Sequence, residues 1–127
     1  MLDDARGLTE GNTGLHLTIA FNYGGQDEIV DAVRAIAREA KAGALQPEAI
    51  GRETISQFLH TAGVPDPDLI IRTSGEQRLS NFLIWQSAYA EFVFTDTLWP
   101  EFDRKALIGA IEEFNRRERR YGAGDGA

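Results

Sequence analysis

Leu69-Ile70-Ile71-Arg72-Thr73-Ser74-Gly75-Glu76-Gln77-Arg78-Leu79-Ser80-Asn81-Phe82 opens on three apolar residues and then breaks into a polar loop. A short apolar run bounded by turn residues reads as a buried strand. Buried parallel strands belong to sheets covered by helices on both faces. Upstream, Val64-Pro65-Asp66-Pro67 is a rigid turn. Downstream, Phe82-Leu83-Ile84-Trp85 and Phe92-Val93-Phe94 read as two further strands.

Further out, the periods change. Leu15, Leu17, Ile19 and Phe21 alternate with polar or small residues, which predicts another strand. Tyr23-Gly24-Gly25 breaks it. Ile29, Val33, Ile36, Ala37 and Ala40 then recur at helical spacing, with Asp27 and Glu28 in the first turn, where the helix dipole favours acids. Gly43 is the stop. Ile50, Ile55, Phe58 and Leu59 predict a shorter helix before Gly63. After Trp99-Pro100, Asp103 is the expected N-cap, with Phe102 stapled onto Leu107. Leu107, Ala110, Ile111 and Phe114 form one apolar face of a last helix that runs towards Arg120, before a loose tail at Gly122, Gly124 and Gly126. Strand, helix, helix, strand, strand, strand, helix is an α/β order. The expectation is the C-terminal portion of a mostly parallel sheet flanked by helices, because three helices are too few to cover the strands of a complete sheet. Residues 1–127 then make up one part of a single larger domain.

Composition narrows the function. The chain has 127 residues, 43% of them hydrophobic and 26% charged, as in an ordinary globular protein. Its net charge of −7 and pI near 4.8 argue against a nucleic-acid-binding coat. Five basic and eleven acidic residues precede Arg72, while eight basic and nine acidic residues follow from it. The second part is nearly neutral, with arginines gathered at Arg72, Arg78 and Arg116 to Arg120, a pattern of local anion sites. There is no cysteine, hence no thiol nucleophile and no thiolate metal ligand. No apolar run approaches the roughly 20 residues that span a bilayer. The first residues have neither the basic head nor the apolar stretch of a signal peptide, so a cytoplasmic protein is expected.

Three segments could carry chemistry. The loop from Arg72 to Phe82 leaves the carboxyl end of a strand, where open α/β sheets bind ligands. Arginine's rigid fork of donors matches phosphate, and the hydroxyls of Thr73, Ser74 and Ser80 complete a cradle. The other reading is a surface loop whose arginines pair with Glu76. Glu91 follows aromatic and apolar residues, where a carboxylate needs a partner. That partner is either Mg²⁺, which takes one or two carboxylates plus substrate phosphates, or a neighbouring arginine. Arg116 to Arg120 is a nucleic-acid contact or, by default, a solvated helix end favoured by the dipole. Asn22-Tyr23-Gly24-Gly25 before a helix has the look of a phosphate-binding turn, but Asp27 and Glu28 would repel an anion, which favours a structural turn. His16 and His60 have no ligand-spaced neighbours and read as packing or surface residues.

These residues together resemble a family. Asn12-Thr13-Gly14-Leu15, Asn22-Tyr23-Gly24-Gly25, Ile71-Arg72-Thr73-Ser74-Gly75-Glu76, Arg78-Leu79-Ser80-Asn81-Phe82, Trp85-Gln86, Ala88-Tyr89-Ala90-Glu91, Trp99-Pro100 and the terminal Arg-Arg-Glu-Arg-Arg-Tyr-Gly occur in this order in cis-prenyltransferases. From about Leu8 to Gly122 the chain resembles the C-terminal half of the bacterial undecaprenyl diphosphate synthases. That resemblance implies condensation of isopentenyl diphosphate onto an allylic diphosphate such as farnesyl diphosphate, with Mg²⁺, to build a polyprenyl lipid-carrier precursor. It implies that Arg72, Arg78 and Ser80, with the backbone around Leu79, hold isopentenyl diphosphate. Glu91 would serve Mg²⁺, and Arg120-Tyr121-Gly122 would reach the diphosphate across a homodimer interface. Membrane contact would be at most peripheral, through the lipid product. Gln26 departs from the arginine common in the family after Asn-Tyr-Gly-Gly. The family's Asp-Gly-Asn-Gly-Arg-Trp-Ala segment, which holds Mg²⁺ and the allylic diphosphate, has no counterpart here. No catalytic residue is therefore expected among these 127, and the chain alone is expected to be inactive. The alternative is a non-catalytic diphosphate-binding or partner subunit. A trans-prenyltransferase is excluded, since Asp3-Asp4 is followed by Ala5-Arg6-Gly7 rather than by Asp-Asp-x-x-Asp.

Overall fold

The computed structural model describes residues 2–117. Four α-helices and two strands occur in these residues, in the order α1 (Leu2–Thr9), α2 (Gly25–Lys41), α3 (Arg52–Phe58), β1 (Leu69–Arg72), β2 (Glu91–Phe94) and α4 (Arg104–Arg116). Single 3₁₀ turns sit at Pro47–Ala49, Gln86–Tyr89 and Trp99–Glu101.

β1 and β2 pair in parallel, Leu69 opposite Glu91 and Arg72 opposite Phe94. The sheet is parallel, as expected, and helices pack against it and beside it. Val93 of β2 and Ala110 of α4 are buried where α4 packs on β2. On α2, Glu28, Ala32 and Ile36 are buried at intervals of four, one stripe of the helix facing inward. α3 packs against α2, and Leu59 just beyond it is 4% exposed. Asp103 caps α4 as its position predicts, its Oδ1 accepting the Ala106 N–H at 2.9 Å.

Two sequence expectations are corrected. Leu15 to Phe21 is not a strand: the segment has no ladder and its apolar residues are between 59 and 88% exposed. Alternation prepares one face for burial, but a strand also needs a neighbour for its N–H and C=O groups. Neither strand of the two-stranded sheet supplies one. Phe82 to Trp85 is not a strand either. Asn81 and Leu83 have φ of 62° and 45°, left-handed values that no strand contains, and the chain turns there into the 3₁₀ turn at Gln86. The N-terminal lead holds α1, with Asp3 and Asp4 in its first turn and Arg6 in its last. α4 ends at Arg116, short of Arg120. No helix among the described residues is long and apolar enough to cross a membrane.

Candidate functional site

The chain leaves β1 at Arg72 and is held at once by the segment that follows β2. The Arg72 carbonyl accepts the Thr95 N–H, Ser74 N–H donates to the Thr97 carbonyl, and Gly75 N–H donates to the Thr95 carbonyl, each at 3.0 Å. Ser74 and Gly75 both have left-handed backbone, φ 68° and 69°. A Cβ on Gly75 would lie 3.1 Å from Asp96 Oδ1, so a side chain there is disfavoured by conformation and by space. This corner opens a cleft of about 430 Å³ at the carboxyl end of β1. Arg72, Thr73, Ser74, Arg78 and Leu79 line it, with Phe82 and Phe92 as apolar wall.

Arg72 and Arg78 therefore share one concavity, as the loop's position after β1 suggested. Their states differ. Arg72 is half-buried and has no ion pair among the described residues. Arg78 is exposed and its Nη1 lies 2.5 Å from Glu76 Oε2, the pairing that the plainer sequence reading offered. An exposed pair of this kind holds little free energy, typically below about 1 kcal/mol, and yields readily to a better anion. Leu79 lines the cleft, whereas Ser80, exposed and with φ 51°, stands beside it in the loop and not in its lining.

Glu91 is elsewhere. It pairs in register with Leu69, while Arg72 pairs with Phe94, so the carboxylate and the arginine cleft lie at opposite ends of the parallel ladder. Three residues of strand, about 10 Å, separate them along the chain direction. Arg117 Nη1 donates to Glu91 Oε2 at 3.0 Å and to the Phe92 carbonyl at 2.8 Å, while its Nε and Nη2 donate to Glu113 Oε1. The bond to Glu91 leads the causes that raise the Arg117 pKa above its ordinary value, so this guanidinium stays charged. The described residues hold no group of three His, Cys, Asp or Glu side chains able to bind a metal. Glu91, paired with Arg117, supplies one carboxylate, where Mg²⁺ takes one or two together with substrate phosphates and water. Arg120 and Gly122 lie outside the described residues.

Two residues beside the cleft carry more of its architecture than their sequence context announced. Glu28, in the first turn of α2, is 1% exposed. It accepts the Tyr23 hydroxyl at 2.5 Å, the His60 backbone N–H at 2.8 Å and the Gln86 side-chain amide at 3.1 and 3.2 Å. Burial first, then the Glu28 hydrogen bond and charge, pushes the Tyr23 pKa up to about 12. The sequence signal was the stripe of Glu28 with Ala32 and Ile36, which puts a carboxylate on the inward face. Asn81 is the second. Its carbonyl accepts the Gly25 N–H at 2.7 Å and its Oδ1 accepts the Gln26 N–H at 2.8 Å. The turn that looked phosphate-binding thus has its first helical donors satisfied within the protein. Trp85 Nε1, donating to Ser56 Oγ at 3.1 Å, fastens the same loop to α3.

Residues 1–122 match the family described as putative undecaprenyl diphosphate synthases. The chain belongs to that family. It is 59% identical over 122 residues to an isoprenyl transferase of Brucella abortus, covering 96% of this chain and 48% of the relative. An isoprenyl transferase of Streptococcus mutans is 58% identical over 125 residues, covering 95% of this chain and 50% of the relative. The chain spans about half the length of the curated relatives it matches. Among solved structures, lavandulyl diphosphate synthase from Lavandula x intermedia, in complex with dimethylallyl diphosphate, superposes with a TM-score of 0.90 at 42% identity, covering 95% of this chain and 52% of that one. A probable undecaprenyl diphosphate synthase from Campylobacter jejuni gives 0.77 at 32% identity, with 96% and 54% covered. The fold and the family read from the motifs are therefore those of a cis-prenyltransferase.

Proposed function

We propose that the whole protein elongates prenyl chains with cis double bonds, and that this chain is its C-terminal part, carrying the cradle for isopentenyl diphosphate. The observation that carries the reading is the cleft at the end of β1 where Arg72 and Arg78 meet, in a chain of the undecaprenyl diphosphate synthase family. A relative crystallised with a prenyl diphosphate supports the ligand class. In this reading Arg72 binds one phosphate with a guanidinium that has no competing ion pair among the described residues. Arg78 exchanges Glu76 for the second, and Ser80 and the backbone at Leu79 add donors. Fixing the diphosphate orients the isopentenyl double bond towards the allylic partner, farnesyl diphosphate or a longer chain. The carbon–oxygen bond of the allylic diphosphate breaks, a carbon–carbon bond forms, and a proton is lost from the isopentenyl unit.

The remaining roles belong to the same proposal. Arg120 and Gly122 contribute to the diphosphate of a partner chain in a homodimer. Mg²⁺ assists the whole enzyme, with Glu91 serving it once released by Arg117 and joined by oxygens that these residues do not supply. The setting is cytoplasmic, with no nucleic-acid partner and only peripheral membrane contact through the lipid product. The 127 residues alone lack an allylic site and are inactive in this reading.

Arg78→Ala in the full-length protein tests the cradle. A charge-assisted hydrogen bond contributes on the order of 1.5–3 kcal/mol, so isopentenyl diphosphate should bind about 10- to 100-fold more weakly by calorimetry. Farnesyl diphosphate affinity should stay near the parent value. An equal loss for both ligands would remove the assignment.

A further inference from the structure

We propose that Asn81 is a positioning residue for the isopentenyl diphosphate cradle, acting by latching the cradle loop onto the first turn of α2; this rests on the reading of Arg72 and Arg78 given above. The first N–H groups of a helix have no partner within it and must be satisfied from outside. Gly24, the N-cap of α2, has no side chain to do so. Asn81, 55 positions beyond Gln26, does it twice, with its carbonyl on Gly25 and its Oδ1 on Gln26. The approach is close enough that a side chain on either glycine would have to displace its neighbours. A Cβ on Gly24 would stand 2.8 Å from Asn81 Nδ2, and one on Gly25 would stand 3.2 Å from the Asn81 carbonyl oxygen.

The latch acts on the cradle because Asn81 directly follows Ser80 and stands three residues from Arg78. Ser80 and Asn81 are both left-handed, φ 51° and 62°. Asparagine tolerates that conformation better than most residues, so one side chain supplies both the turn and the acceptor. With both ends of the loop held, by Thr95 and Thr97 at Ser74–Gly75 and by α2 at Asn81, the intervening Arg78 and Leu79 have a defined place at the cleft. Without the Asn81 side chain, the far end keeps only the Gly25 bond and the Trp85–Ser56 bond, and Arg78 is held less firmly relative to Arg72.

The experiment measures isopentenyl and farnesyl diphosphate affinities in parallel on variants of the full-length protein. Asn81→Gly keeps the left-handed backbone and removes the side-chain acceptor. Gly24→Ala leaves Asn81 in place but pushes its amide aside. Each should weaken isopentenyl diphosphate by about tenfold, the effect of a lost helix cap, with farnesyl diphosphate within about twofold. The double variant should be no weaker than Asn81→Gly alone, since both break one contact. Asn81→Asp, which keeps an acceptor on Gln26, should restore parent affinity. Unchanged isopentenyl diphosphate binding in both single variants, with Arg78→Ala still weakening it, would overturn the latch and leave the cradle standing. Equal losses for the two ligands would make Asn81 a stability residue only. No effect of Arg78→Ala would fell the cradle and the latch together.

Discussion

Tyr23 gives its hydroxyl hydrogen to a carboxylate that water hardly reaches, and the consequence is a phenol that resists ionisation. Its pKa is raised from 10.0 to about 12 by burial and by Glu28. The folded state thus holds this proton more tightly than the unfolded chain does. The stabilisation is whole below pH 10.0 and is lost as pH climbs towards about 12. Tyr23→Phe removes that dependence. Its urea midpoint should fall less steeply than the parent's between those two pH values, and parallel curves would refute the assignment. At this scale the sequence was legible where the partner is near in the chain. Asp103 caps α4 through Ala106, three positions on. Arg72 and Arg78 share a loop. Glu28 and Asn81 escaped because their partners lie up to 58 and 56 positions away, and no local pattern encodes which distant amide a carboxylate or carbonyl will meet.

At the scale of elements, periodicity found α2, α3, β1, β2 and α4, and Ala32, Ile36, Val93 and Ala110 are the residues they bury. It failed on Leu15 to Phe21 and on Phe82 to Trp85. In the first, the alternation is present but the neighbouring strand is not. In the second, the need to turn under α2 overrides an apolar run, and Leu83 takes a left-handed backbone to do it. Two glycines separate packing from propensity. A Cβ on Gly25, at the start of α2, would lie 3.0 Å from Ile84 Cγ1 and 3.1 Å from Ile84 N, so Gly25→Ala should lower stability by about 1–3 kcal/mol. Gly109 stands within α4 with nothing inside 4 Å of its Cβ position, and Gly109→Ala should raise stability by up to about 1 kcal/mol. Denaturant titration of the pair gives both signs, and equal signs would contradict the packing described for Gly25.

At the scale of the whole molecule, much apolar surface is uncovered among the described residues. Phe94, Leu98, Trp99, Leu107, Ile108 and Ile111 around β2 and α4 are between 42 and 72% exposed. Surface of this kind is covered by another chain or by the remainder of a domain. The proposed homodimer uses it, and light scattering at tens of micromolar should give twice the mass of the 127-residue chain; a monomer would speak against it. The uncovered stretch from Leu15 to Phe21 has a separate consequence. Proteases thread extended chain through their active-site clefts, and exposed segments that make no backbone hydrogen bonds are the ones they reach. In this chain Leu17 and Phe21 are offered in that form, while Phe92 and Phe94 are tied into the parallel ladder. A brief chymotrypsin digest should therefore cut first between residues 15 and 22, shedding α1 and leaving a resistant body that begins near the Tyr23–Glu28 pair. A first cut within residues 69–94 would mean that the sheet, and not the alternating segment, is the weakest point of the chain.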